Sequence, residues 1–252
     1  MNDAIENAFQ RTTKILFGSA LANLEQYKEW LLENVEPTLE TKSIINGEAI
    51  YAPSSPFFSD ILHNMVTLDE SLKLGKNSIS EQQAGELTIS NASEILGRLR
   101  SVSPDVIFDR NTEITRCAAY MGSHYCIDSS YVGFSKYLAY CFWPRESERV
   151  FGSVLLFSSS FCINCYYSTN LSRCFELDSC DNCSDCYFCH NCENLRDCMF
   201  CFNIKGKKHA IGNVEIGRGE YERIRKLLLA DICSRLEKTK KLGKNIYNIS
   251  EG

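Results

Sequence analysis

Between Ile114 and Ile204 every third residue belongs to one set of 31 positions, and that set contains 13 Cys, 7 Ser, 9 Leu, Ile or Val, one Tyr and one Pro. No charged residue falls in it, while all 15 Asp, Glu, Lys and Arg of the same span lie in the other two phases. A phase that excludes charge and favours small or apolar side chains points inward, so the chain must turn back towards one axis at every third residue. A longer repeat overlies the period. Cys162-Ile-Asn-Cys165, Cys180-Asp-Asn-Cys183 and Cys198-Met-Phe-Cys201 recur at an even interval, from 162 to 180 to 198, and Cys174-Phe-Glu-Leu177 recurs at the same interval as Cys192-Glu-Asn-Leu195. Repeats of about 20 residues signify stacked units, none of which buries its apolar face alone.

The fold these patterns predict is α+β: a three-sided β-solenoid of 18-residue coils lined by Cys, Ser and Leu, flanked by N-terminal and C-terminal helices. About six coils fit, forming a rod roughly 29 Å long at the usual strand spacing of about 4.8 Å. Four regions follow. Residues 1–36 are an N-terminal helix with Ile5, Ala8, Phe9, Leu16, Leu24, Tyr27 and Leu31 on one face, stopped by Pro37. Residues 37–107 are mixed, with short strands around Asn46-Gly47, a helix across Phe58–Leu74 and another after Ser90-Asn91. Residues 108–215 are the solenoid. Residues 216–252 are a capping helix and a basic tail. Open solenoid ends are exposed sheet edges, so a helical segment is expected to block each one.

Cysteine is the chemistry to be explained. The first reading is packing: a buried thiol is a compact hydrophobe, and its interchange with Ser and Leu in one phase fits that role. The second is axial disulfides between residues one coil apart, such as Cys162 with Cys180, which need an oxidising setting. The third is metal. Cys-x-x-Cys is the common half-site for zinc or an iron–sulfur cluster, and the candidate ligands are Cys180, Cys183, Cys186, Cys189, Cys192, Cys198 and Cys201. Cys186-Tyr-Phe-Cys189-His190 also matches the short haem-attachment pattern, without an export signal beside it.

Nothing in the sequence assembles a catalytic constellation. The four histidines, His63, His124, His190 and His209, stand in no nucleophile, zincin or kinase pattern. Ser158 to Ser160 lack the flanking glycines of a nucleophile elbow, and Cys233 lies out of phase on the C-terminal helix. A net charge of −5 gives no reason to expect nucleic acid. No stretch reaches the length needed to span a bilayer, and Asp3 and Glu6 spoil the flank of a signal peptide. The expected location is therefore cytoplasmic, with a virion as the other expectation, implied only by the resemblance that follows.

The segment from Ser159 to Asn213, with its Cys-x-x-Cys ladder, and the following helix Glu220-Tyr-Glu-Arg-Ile-Arg-Lys-Leu-Leu resemble uncharacterised cysteine-rich repeat proteins of archaea, poorly cultured bacteria and their tailed viruses. The resemblance covers about the last half of the chain. It implies a solenoid-like fold and, through the viral members, a virion or head-assembly role, with no activity to carry over. The expected function is a non-catalytic structural or protein-interaction scaffold, displaying Tyr166, Tyr167, Phe175, Tyr187 and Phe188 to a protein partner or to copies of itself. The alternatives are a zinc, iron–sulfur or redox-responsive protein and, more remotely, a hydrolase such as a virus maturation protease.

Overall fold

The computed structural model describes residues 2–97, 99–105 and 110–251. Its centre is a β-solenoid of about eight coils. The ladder runs through β3 (Thr112–Thr115), β4 (His124–Ile127), β5 (Lys136–Ala139), β6 (Glu148–Phe151), β7 (Val154–Phe157), β8 (Ser160–Thr169), β9 (Ser172–Asp178), β10 (Ser184–His190), β11 (Arg196–Met199) and β12 (Lys208–Ile211). These strands pair in parallel, each residue facing the one twelve positions on: Cys126 with Leu138, Cys162 with Cys174, Cys186 with Cys198. Residues 108 and 109 of the expected solenoid lie outside the described residues.

The solenoid stands, but its coil is shorter than the spacing of the sequence repeat. Every third residue from Glu113 to Gly212 has a positive φ, between 46° and 66°, and each such residue turns the chain. Twelve residues therefore make four short sides and four inward positions per coil, rather than three sides of six. The 18-residue repeat equals one and a half coils. Cys162 and Cys180 consequently stand at opposite corners, and the axial neighbour of Cys162 is Cys174.

A left-handed backbone costs a residue with a Cβ about 1–2 kcal/mol. The interior offsets it by satisfying backbone groups that a flat ladder leaves behind. Ser153 Oγ accepts the amide of Cys165 at 3.1 Å and donates to the Phe151 carbonyl at 3.2 Å. Ser129, Ser135, Ser147, Ser159 and Ser168 likewise take the amide twelve residues on. Cysteine performs the same task, its thiol donating to the carbonyl two residues back, as Cys180 does to Asp178 at 3.3 Å.

The flanking segments cover the sides more than the ends. α1 (Asp3–Phe17) is capped by the Asn2 side chain and stopped by left-handed Gly18, so the expected single helix over 1–36 is broken there. It lies along an apolar column of the solenoid, with Phe9 edge-on to Phe151 at 5.2 Å and Phe17 edge-on to Phe175 at 4.9 Å. A 3-10 turn (Leu24–Tyr27) and α2 (Lys28–Leu31) continue the cover, bringing Trp30 onto Phe175. α7 (Arg218–Thr239) packs beside α1. Residues 245–249 then return to the solenoid as a strap: Ile246 is buried and the Tyr247 ring lies 5.4 Å from that of Tyr166.

At the C-terminal end the sheet edge is closed by a hairpin rather than a helix, β12 pairing antiparallel with β13 (Val214–Glu215). At the other end sits the 37–105 region. Its strands β1 (Leu39–Lys42) and β2 (Ala49–Ala52) form the hairpin expected around Asn46-Gly47. The expected helix over Phe58–Leu74 is instead α3 (Pro56–Ile61), a 3-10 turn and α4 (Leu68–Leu74), the last started by a Thr67–Glu70 capping box. α5 (Glu81–Gly85) and α6 (Ala92–Leu96) complete it. Among the described residues no helix is long and apolar enough to cross a membrane.

Candidate functional site: the thiol interior and the open faces

Four inward columns run along the solenoid axis. Reading up one gives Ile114, Cys126, Leu138, Val150, Cys162, Cys174, Cys186, Cys198 and Ala210; the next gives Cys117, Ser129, Cys141, Ser153, Cys165, Leu177, Cys189 and Cys201. The third contains Ser168, Cys180, Cys192 and Ile204, the fourth Ser123, Ser135, Ser147, Ser159, Leu171, Cys183 and Leu195. All 14 cysteines are buried free thiols. All seven ligands expected from the sequence share two adjacent coils. Neighbouring thiols there influence one another's acidity: Cys180 with Cys183 and Cys192, Cys186 with Cys174, Cys183, Cys189 and Cys198, and Cys201 with Cys189 and Cys198.

Burial decides the acidity of most of these groups. It pushes Cys117 and Cys141 up to about 12 and holds Cys126, Cys165, Cys186 and Cys189 well above the usual thiol range. Hydrogen bonds from neighbouring thiols work the other way at Cys183, Cys192 and Cys201, which are lowered. A buried, protonated thiol is a poor nucleophile. Among the described residues no group of three or more His, Cys, Asp or Glu stands in metal-bonding geometry as it is.

The display surface differs from the expected one. Tyr166, Phe175, Tyr187 and Phe188 point out of the coil but are buried beneath α1, α2, α7 and the strap, leaving Tyr167 exposed. Tyr187 is tied in by its hydroxyl, which donates to the Leu16 carbonyl at 3.0 Å and accepts from Arg225 at 3.0 Å. The open corners stack one residue per coil. Tyr131, Trp143, Leu155 and Tyr167 follow one another at twelve-residue steps, Tyr131 stacked on Trp143 at 4.9 Å. Another corner runs Phe134, Glu146, Ser158, Asn170, Asn182 and Asn194, all exposed. Charges also pair between coils: Arg116 with Asp128 and Arg173 with Asp185, each through two hydrogen bonds.

Sequence reasoning missed one polar cluster, at the strap. Asp178 Oδ2 lies 2.7 Å from His190 Nδ1, and Asp178 Oδ1 accepts from the Tyr247 hydroxyl at 3.2 Å. Glu176, fully buried, accepts from Asn164 at 2.8 Å and from the Ile246 amide at 2.8 Å, and burial pushes its carboxyl up to about 8. Glu176 and Asp178 lie 69 or 70 residues from their strap partners, so no local motif joins them. Ser179 donates to Asp178, not to His190, so the arrangement lacks the serine–histidine contact of a hydrolytic triad.

Cys233, the thiol outside the columns, lines a groove of about 590 Å³ between the end of α1 and α7, together with Leu16, Phe17, Arg225 and Leu229. Compared with known proteins, the chain matches no family model and no curated protein.

Proposed function

We propose that the chain is a non-catalytic scaffold that presents its open corners to a protein partner or to further copies of itself, in a virion or another assembly. The observation that carries this reading is the coupling of a closed interior to regular outer ladders. Polar inward groups are hydrogen-bonded to the backbone, so the interior is engaged in holding the coil. The free corners repeat one side chain per coil at about 4.8 Å, with Phe134, Trp143 and Tyr167 exposed on them. Apolar groups exposed at fixed spacing favour association over chemistry.

Light scattering over a range of concentrations, on the wild type and on a variant with Phe134, Trp143 and Tyr167 each replaced by Ser, tests the self-association arm. A concentration-dependent increase in mass that the variant loses supports it. The enzymatic alternative makes an opposite demand. Hydrolytic turnover abolished by His190→Ala in a chain that still folds would replace the scaffold reading.

A further inference from the structure

The composition of the inward positions changes along the solenoid. Between Ser123 and Leu171 the inward phase holds seven Ser and four Cys; between Cys174 and Cys201 it holds eight Cys, two Leu and no Ser. Ser and Cys both donate to the carbonyl two residues back, as Ser153 and Cys180 do, and Ser also accepts the amide twelve residues on. Hydrogen bonding therefore gives no reason for serine to vanish from the last coils.

Two neighbouring corners on two successive coils make a square of four side chains. Among the described residues one square is cysteine at all four corners: Cys186 and Cys189 on one coil, Cys198 and Cys201 directly above. The adjoining squares are each interrupted, by Leu177, Leu195, Ile204 or Ala210. The strand register sets Cys186 beside Cys198, the twelve-residue coil sets Cys189 beside Cys201 in the same way, and along each edge the two thiols shift one another's acidity. We propose that Cys186, Cys189, Cys198 and Cys201 form a four-thiolate site for one thiophilic d10 cation, Zn2+ being the reference ion.

Zn–S bonds of about 2.3 Å place tetrahedral sulfurs roughly 3.8 Å apart, within reach of side chains on rungs about 4.8 Å apart. As they stand, the thiols are turned to the carbonyls of Ser184, Tyr187, Arg196 and Met199 at 3.2 to 3.5 Å, which is why no ligand geometry is preformed. Loading rotates each sulfur about its Cα–Cβ bond towards the centre of the square. One Zn2+ displaces four thiol protons to solvent and leaves a tetrathiolate of charge −2. Backbone amides from the next rung stabilise that charge: Cys201 on Cys189, Ala210 on Cys198 and Asn213 on Cys201. Only the rung carrying Ala210 and the β12–β13 hairpin lie beyond the square, so the C-terminal end is the route of entry. Of the seven sequence candidates, Cys180, Cys183 and Cys192 then remain neighbours without a fourth ligand, because Leu195 fills that corner.

The test is metal analysis of the whole chain refolded under reductant with Zn2+, together with Co2+ titration. The wild type should bind one Zn2+, release protons as it does so and show the visible bands of a tetrahedral Co2+ tetrathiolate. Cys198→Ser keeps the hydrogen-bonding role that serine plays in the earlier coils, so it should fold yet bind Zn2+ at least tenfold more weakly. Cys126→Ser, outside the square, should leave binding unchanged. A refolded wild type free of zinc, or Zn2+ binding untouched by Cys198→Ser, overturns the proposal. So does a loss of two mass units mapping a disulfide to any pair of the four. None of these results alters the association experiment.

Discussion

At the scale of single residues the left-handed corner governs what the sequence can contain. Of the corner positions from Glu113 to Gly212, none is Val, Ile or Thr, whereas β-branched residues occupy both other phases, as at Ile127, Val154, Ile163 and Val150. Branching at Cβ makes a positive φ strongly unfavourable. Ser158 tests this at an exposed corner with φ 48°. Ser158→Val should be less stable than Ser158→Gly by about 1–2 kcal/mol in urea unfolding; equal stabilities would mean that the corner is not left-handed.

Glu176 supplies the second residue-scale prediction. Its carboxyl titrates at about 8 when buried against an ordinary value of 4.5. The folded chain therefore keeps a proton that the unfolded chain releases. Its contribution to stability is greatest below about pH 4.5, declines as pH rises, and levels off above about pH 8. In Glu176→Gln the amide stays neutral, and its NH2 can donate to Asn164 Oδ1, which lacks a hydrogen-bond partner. Relative to the variant, the wild type should lose a few kcal/mol between pH 5 and 8. Parallel pH profiles would contradict the assignment.

Elements cooperate through shared aromatic faces. α1 contributes little as an isolated 15-residue helix; its place is set by Phe9, which is fully buried between Tyr27 and Phe151. Phe9→Ala should cost about 3–5 kcal/mol. The loss should appear in both the helical and the sheet signals of circular dichroism, because the helix is part of the solenoid's wall. A loss confined to helical signal would show α1 to be an appendage.

The terminal elements were less legible than their helical patterns suggested. The inward phase was readable because all of its positions share one environment. The coil length was not, since the Cys-x-x-Cys pairs return one and a half coils apart, at 162, 180 and 198, while the strands pair Cys162 with Cys174 and Cys186 with Cys198. Sequence similarity and spatial stacking are different periods here, and only the ladder hydrogen bonds select between them. A helix at each end of the rod was expected because helical segments flank it. The apolar faces of α1 and α7 instead found the column of Phe151, Ile163, Phe175 and Tyr187, and a two-residue strand sufficed to close the C-terminal edge.

For the whole molecule, the consequence of this packing is a protected sulfur store. With the 13 column thiols enclosed and Cys233 lining a groove, a thiol reagent added to the native, metal-free chain should reach the thirteen only at the rate of unfolding, and the full count of 14 should appear in denaturant. Fast labelling of several thiols in native buffer would show that the coils open independently, as a one-dimensional repeat array can.

The sequence alone determined that the chain winds about one axis with Cys, Ser and Leu inside, since a period in polarity directly records which side of the backbone is buried. It also placed the seven clustered cysteines in one block. Tertiary structure alone decided which of them meet, which aromatic residues remain exposed, and that Glu176 and Asp178 hold the strap. Those outcomes depend on how many residues complete a coil and on which segment returns to cover it. Both are settled by pairing between residues far apart in the chain, which no local pattern encodes.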